Sequence, residues 1–202
     1  IRHFHKTKDN KINTLHNIQK FFPKNFTVQI SKKRKLIKIV NFLLNGKSKM
    51  RNVEFFLKPK KTGMAAPYHQ DNFYWNIVGA AGLNVWIACS KSSKKNGGVE
   101  YYKKSHKLGV TKHEISFMPG SSQKIPKEII KKLKFQKTTP SLKEGDCIFH
   151  HSEIIHGSKP NKSTSDRIGL VISYKTLESK YDLKKISKYE QKLKKNLKRI
   201  YK

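Results

Sequence analysis

The segment Tyr68-His69-Gln70-Asp71 sets an imidazole and a carboxylate two residues apart. In an extended segment, residues i and i+2 point to the same side, so both groups can converge on one metal ion. A pair this short also arises by chance, and a plain hydrogen-bonded His–Asp pair is the competing reading. Further along, Phe149-His150-His151-Ser152-Glu153-Ile154-Ile155-His156-Gly157-Ser158 closes a strand-like run on a His followed by Gly and Ser. Two His and one carboxylate make the facial ligand set of non-haem Fe(II) chemistry. Three protein ligands on one face leave room opposite for a chelating co-substrate and O2. Imidazole and carboxylate also suit a hard-to-borderline divalent ion, where thiolates favour zinc. Eleven residues after His156, Arg167 opens the last strand-like run, Ser165-Asp166-Arg167-Ile168-Gly169-Leu170. An Arg fork grips a carboxylate with two parallel hydrogen bonds. Arg is otherwise found only at positions 2, 34, 51 and 199, so it stands out in a chain full of Lys.

Those side chains need a scaffold, and its pattern changes along the chain. The first 50 residues are expected to be helical: Leu15, Ile18, Phe21 and Phe22 recur at helical spacing until Pro23. A second apolar segment, Leu36 to Leu44, ends at the helix stop Asn45-Gly46. Both are expected to pack outside a sheet core. From Val53 the runs become short and β-like: 53–57, 83–89, 99–102, 146–150 and 168–174. Turns at Thr62-Gly63, Asn96-Gly97-Gly98, Glu144-Gly145-Asp146 and Lys159-Pro160-Asn161 separate them. Many short strands between such turns predict a sandwich or barrel. Residues 107–135 form an irregular stretch with a short helix expected over 127–133, and such an insertion is often a lid or substrate loop. The tail from 176 to 202 is expected to be a basic amphipathic helix with Leu183, Ile186, Leu193, Leu197 and Ile200 near one face. Packing on the domain is the favoured role for it, and membrane-surface binding is the sharper alternative.

Length and composition bound the rest. The 202 residues predict one domain over 1–202, with helices in 1–50, a β core over about 51–175 and the basic helix after it. The start at Ile1 rather than Met is expected to reflect trimming or a fragment. Two cysteines, Cys89 and Cys147, exclude a disulfide framework and a Cys-rich zinc module, and both are expected to be small buried hydrophobes. No apolar run is long enough to span a bilayer, so a cytoplasmic setting is expected. The formal net charge of +32 attracts anions. Its excess is almost all Lys, scattered beside many Asn, Ile and Ser, as nucleotide bias in an A/T-rich genome would produce.

In order and spacing the chain resembles the phytanoyl-CoA dioxygenase family of Fe(II)/2-oxoglutarate oxygenases, which includes ectoine hydroxylases. The resemblance runs from about Phe55 to Tyr174. It rests on Leu57-Lys58-Pro59, His69-Gln70-Asp71, Val85-Trp86-Ile87-Ala88, Asn96-Gly97-Gly98 and Ser105-His106-Lys107. It continues through Glu144-Gly145-Asp146, His156-Gly157-Ser158 and Asn161-Lys162-Ser163 to Arg167. Lys103-Lys104 stand where the family usually has Pro-Gly, which affects a turn and not the metal. The resemblance implies a mainly β fold with flanking helices, the double-stranded β-helix, a jelly-roll relative of the cupins. It implies His69, Asp71 and His156 as iron ligands. Arg167 and Ser158 would bind the distal carboxylate of 2-oxoglutarate, and Gln70 and Trp86 would line that pocket. Trp75 and Lys58 fall to the substrate pocket. Trp86 as ordinary core and Ser158 as a turn-bonding hydroxyl are the plainer readings. His150 and His151 are taken as structural, and His106 as a loop anchor.

The function implied by this resemblance is that of an oxygenase that consumes Fe(II), 2-oxoglutarate and O2, releases succinate and CO2, and hydroxylates a C–H bond of a small molecule. Relatives that halogenate replace the carboxylate ligand with a small residue, so Asp71 favours hydroxylation. The net charge leans towards an anionic substrate. The competing class is a non-catalytic basic protein on the same scaffold, with nucleic acid as its partner, but aromatics interleaved with Arg are not evident.

Overall fold

The computed structural model describes residues 4–7, 9–79, 81–118 and 121–200, without the side chains of 117 and 192–200. Its strands are β1 Phe4–Lys6, β2 Ile12–Leu15, β3 Ser48–Lys58, β4 Ala66–His69, β5 Ile77–Val78, β6 Gly82–Ala88 and β7 Val99–Tyr102. They continue with β8 Glu114–Met118, β9 Ser121–Lys124, β10 Lys137–Thr138, β11 Cys147–His151, β12 His156–Ser158, β13 Arg167–Thr176 and β14 Lys180–Tyr181. The helices are α1 Ile18–Phe21, α2 Phe26–Ser31, α3 Arg34–Leu44, α4 Asp71–Trp75, α5 Lys127–Lys132 and α6 Leu183–Ile200. A six-stranded sheet runs β1-β2-β3-β13-β6-β11, and a four-stranded sheet runs β10-β7-β12-β4. Every pairing within them is antiparallel.

The larger sheet has two different faces because side chains alternate along each strand. One face carries Val53, Leu83, Val85, Leu170, Ile172 and Tyr174, which pack against Val40 and Leu44 of α3. The other face carries Glu54, Phe56 and Lys58 of β3, Arg167 and Val171 of β13, Asn84 and Trp86 of β6, and His150 of β11. These residues line a cavity together with His69, Val99, His156 and Ser158 of the smaller sheet. The two sheets therefore face each other across this cavity, as a double-stranded β-helix requires. The helices close the apolar side.

The chain's first segment departs from expectation. Residues 4–6 and 12–15 are strands that lengthen the large sheet, not helix. Asn10 at φ 63 turns the chain between them, and Leu15 pairs with Phe55 instead of starting a helix. The helical spacing from Leu15 to Phe22 survives only as the single turn α1, with Phe21 and Phe22 exposed. Helix α2 begins at Asn25, whose Oδ1 accepts from the backbone N–H of Thr27 and Val28 at 2.8 and 3.2 Å. Helix α3 ends on Asn45 at φ 50, a left-handed stop.

The five β-like runs all lie on strands or their margins, and α5 occupies the expected short helix. The stretch 107–135 also contains the hairpin β8–β9, which leans on β4. Cys89 and Cys147 are exposed rather than buried, because both stand at strand ends beyond the cover of the helices. Helix α6 packs through Tyr189, whose hydroxyl lies 2.8 Å from Ser122 Oγ and whose ring meets Phe73 and Tyr74. Leu183 is exposed, and the side chains of Leu193, Leu197 and Ile200 lie outside the described residues. Among the described residues no helix is long and apolar enough to cross a membrane.

The two faces predict different costs of truncation. Ile172→Ala, at a fully buried site against α3, should lower the unfolding free energy by about 2–5 kcal/mol in urea titrations. Phe42→Ala, where the side chain is 83% exposed, should change it by less than about 0.5 kcal/mol. Equal losses at the two positions would contradict this placement of the core.

Candidate active site

Strand β4 ends at His69, Gln70 stays extended, and Asp71 opens α4. Cross-strand pairing then brings the distant histidine to the same place: His156 on β12 is the register partner of His69 on one side and of Tyr101 on the other. The His69 and His156 ring centroids are 4.4 Å apart. Asp71 Oδ1 lies 3.7 Å from His69 Nε2, and Oδ2 lies 3.6 Å from His156 Nε2. One ligand atom from each of the three residues falls within 4.8 Å of the others, a spacing that can hold a metal ion.

The imidazoles are oriented alike. His69 Nδ1 lies 2.7 Å from the Pro67 carbonyl, and His156 Nδ1 lies 3.0 Å from the Ile154 carbonyl. In each ring Nδ1–H donates to the carbonyl two residues back, which leaves the Nε2 lone pair for the cavity. Burial, with His156 adding to it, pushes His69 down to about 4. Burial likewise lowers His156. Burial alone would raise the Asp71 carboxyl, but His156, His150 and His69 together hold it well below the usual carboxylate range. Two neutral imidazoles and an ionised carboxylate are the protonation states a divalent ion needs. The donor set fits Fe(II).

The carboxylate is held from behind. Asn84 Nδ2 donates to Asp71 Oδ2 at 2.6 Å, and Ser173 Oγ donates to Asn84 Oδ1 at 2.5 Å. His150 Nε2 stands 3.6 Å from the same Asp71 oxygen and 3.3 Å from Asn84 Nδ2. The sequence alone does not mark Asn84, Tyr101 or His150 as site residues. The signal for Asn84 is the alternation along β6, which places it on the same face as Trp86. His150 is the register partner of Asn84.

At the other end of the cavity two buried basic side chains stand side by side. Arg167 and Lys58 are register partners on β13 and β3, each 3% exposed. The Arg167 guanidinium lies 5.5 Å from the Trp86 ring centroid, and its Nε has no hydrogen-bond partner among the described residues. Burial brings Arg167 down to about 10. Burial and the Arg167 charge push Lys58 down to about 6. Lys58 Nζ donates to the Lys159 carbonyl. Gly97, at φ 75, makes room here: a Cβ would stand 2.6 Å from the Lys159 carbonyl oxygen and 3.1 Å from Lys58 Cδ. Gly169 does the same for Trp86, whose ring would lie 2.2 Å from an added Cβ. Asn161, fully buried, donates from Nδ2 to the carbonyls of Lys58 and Ser165 at 2.8 Å and so ties the loop before Arg167 to the end of β3. A buried guanidinium whose Nε has no partner among the described residues is costly, and a carboxylate entering the cavity would meet it.

Of the residues that the sequence marks out, His69, Asp71, His156, Arg167, Ser158, Trp86, Trp75 and Lys58 line this one cavity. Lys58 lies beside Arg167, at the end opposite the three ligands, rather than in a separate substrate pocket. Gln70 does not line it. Its side chain is fully buried, with Nε2 donating to the carbonyls of Gly109 and Glu153 at 2.7 and 2.6 Å and Oε1 accepting from Thr111 N at 2.8 Å. Alternation along the extended segment turns Gln70 away from His69, so it anchors the loops behind the ligands.

Comparison with known proteins agrees with this layout. The chain is 26% identical over 144 residues to a Stutzerimonas stutzeri protein named a probable alpha-ketoglutarate-dependent hypophosphite dioxygenase, covering 69% of this chain and 49% of that protein. The chain thus spans about half the length of this curated relative. Among solved structures it is similar to EctD from S. alaskensis with 2-oxoglutarate and 5-hydroxyectoine, at TM-score 0.70 and 18% identity, over 83% of this chain and 57% of that one. It is also similar to SnoN, a non-heme alpha ketoglutarate dependent epimerase from nogalamycin biosynthesis, at TM-score 0.66 and 19% identity, over 83% and 62% of the two chains. These likenesses identify the fold as that of the cupin-like oxygenases. The profile of the family described as phytanoyl-CoA dioxygenase (PhyH) matches residues 2–169. A match over that much of the sequence, on a fold that assembles the same motifs around one cavity, means that the chain belongs to the phytanoyl-CoA dioxygenase family.

Proposed function

We propose that the chain is an Fe(II)- and 2-oxoglutarate-dependent dioxygenase that hydroxylates a C–H bond of a small organic substrate in the cytoplasm, with residues 1–202 acting as one catalytic domain. The observation that carries this reading is the pairing, within one cavity, of the His69–Asp71–His156 cluster with the buried Arg167, whose Nε has no hydrogen-bond partner among the described residues. The names of the curated relative and of the solved neighbours support it. His69, Asp71 and His156 would hold the iron. Bound there with 2-oxoglutarate and O2, iron supplies oxidative decarboxylation to succinate and CO2 coupled to hydroxylation.

The chain's own residues do the rest. Arg167 receives the distal carboxylate of 2-oxoglutarate, with Lys58 beside it and the Ser158 hydroxyl in the same cavity. Trp86 walls the co-substrate and stacks under the guanidinium. Asn84 and Ser173 hold the Asp71 carboxylate in one orientation, and Gln70 keeps the loops behind it closed to water. The non-catalytic nucleic-acid reading is not favoured, because a surface-binding protein has no use for a buried Arg in one cavity with three metal-ligand side chains.

Anaerobic titration with Fe(II) and 2-oxoglutarate should give the visible charge-transfer band of the chelated complex. Asp71→Ala should remove the band at any attainable co-substrate concentration. Arg167→Ala should weaken 2-oxoglutarate binding by about 10–100-fold, the worth of a charged hydrogen-bonded pair, with the band regained at high 2-oxoglutarate. A full-strength band in the Asp71→Ala protein would refute the ligand assignment.

Lys58 allows a second test, independent of iron. Its folded value near 6 lies below that of the unfolded chain, so between the two the unfolded chain binds more protons and stability rises with pH. Lys58→Met should therefore stabilise the protein at pH 7, by about 1–4 kcal/mol, while weakening 2-oxoglutarate binding. The advantage should shrink as the pH is raised towards 10. Denaturant titrations at pH 7 and pH 9.5 measure it, and a loss of stability at pH 7 would contradict the buried, uncompensated amine.

A further inference from the structure

We infer that the part of the cavity walled by Asn13, Thr14 and Glu54 recognises a protonated amine on the substrate. The inference rests on the dioxygenase reading of the same cavity and deepens it by naming the substrate class. The three residues line the cavity with the metal-ligand cluster. Glu54 lies on the inward face of β3, level with Val171 and, through it, with Trp86. Asn84, which holds Asp71, is two residues from Trp86 on β6. Glu54 is thus only about 7 Å, two strand residues, from the level of the metal ligands. Lys58 and Arg167 lie about 13 Å along the strands from Glu54, four residues away. Glu54 thus stands between the level of the metal ligands and that of Lys58 and Arg167, one strand over from Arg167, and gives the β2–β3 wall of the cavity a carboxylate of its own.

Two groups on the adjoining strand β2 each have a polar atom without a partner among the described residues. Asn13 and Thr14, 8% and 3% exposed, each bury a side-chain oxygen, Oδ1 and Oγ1, that has no hydrogen-bond partner among the described residues. Such atoms are normally satisfied, here by a ligand or its water. Glu54 is fixed in direction by His16, whose Nδ1 lies 2.7 Å from Oε1. An ionised carboxylate and an amide oxygen only accept, and a threonine hydroxyl can do so. Acceptors along one wall of the cavity call for a donor-rich group. A protonated amine supplies three N–H donors and the charge Glu54 complements. An anionic group there would face the carboxylate directly. The +32 of the chain favours anions in bulk, but surface charge is screened within about 8–10 Å at ordinary salt, and groups inside the cavity are not.

The test is anaerobic calorimetric binding to the Fe(II)- and 2-oxoglutarate-loaded protein, with no turnover. The probes are primary amines, alcohols and carboxylates matched on butyl, hexyl and benzyl skeletons. The amines should bind about tenfold or more tighter than their matched partners. Glu54→Gln should erase that preference while the charge-transfer band stays. Thr14→Val should weaken the amines alone, which guards against a Glu54 variant that fails to fold. Equal binding across the set, a preference for carboxylates, an amine preference that survives Glu54→Gln, or no amine binding while the band is intact would each overturn the inference. Loss of the band in the unsubstituted protein would instead refute the dioxygenase reading, and an amine preference in that same protein would still stand.

Discussion

Strand β13 carries the constraint on which the rest of the structure depends: its two faces must be satisfied by opposite means. Outward, Leu170, Ile172 and Tyr174 are buried against α3 and neighbouring strands. Inward, Arg167, Val171 and Ser173 face the cavity and the cluster behind Asp71. The period of two along a strand makes these requirements inseparable, since a slip of one residue would put Arg167 among the helices and Ile172 in the cavity. Pairing with β3 on one side and β6 on the other pins the register over most of the strand. The apolar face thus supplies the stability that the polar face spends.

That division explains where rigidity is concentrated. A buried Lys–Arg pair and clustered imidazoles all disfavour the closed, empty fold. The chain tolerates them by dense anchoring around the cavity rather than within it. Gln70 ties the segment before α4 to the carbonyls of two separate loops. Asn161 does the same beneath Arg167, and Asn84 with Ser173 fixes Asp71. Each anchor is an amide whose donors and acceptor reach different parts of the chain at once, which fits it to hold a charged group in place.

Much of this is legible in the sequence, for identifiable reasons. His69, Asp71, His156 and Arg167 announce themselves because their types are chemically restricted and their spacing matches a known order. The central strands are visible because they are long, rich in Val, Ile and Leu, and bounded by Gly and Asn. The first strands are not, because β1 and β2 are short and join the sheet only through the pairing of β2 with the distant β3, with β1 on its edge. Gln70 is misleading because its position between two ligands says nothing about which way it points, and alternation turns it outward. Cys89 and Cys147 look buried in sequence because their neighbours are apolar, yet they stand where the helical cover ends.

Glu54 illustrates the deepest limit. In a chain with 45 basic and 13 acidic residues, an acid in an apolar strand looks like one more compensating surface charge. Only the register shows that it points inward, on the same face as Lys58 and Phe56. Net charge describes the field a ligand meets on approach, and a cavity's own charges decide what stays. The two differ here in sign along the β2–β3 wall. On the inference of an amine-binding wall, the lean towards an anionic substrate drawn from composition would belong to the co-substrate, whose distal carboxylate would meet Arg167. On the same inference, the local carboxylate and its unpartnered neighbours outweigh the net charge of +32, because the first would act at contact inside the cavity and the second acts through salt water.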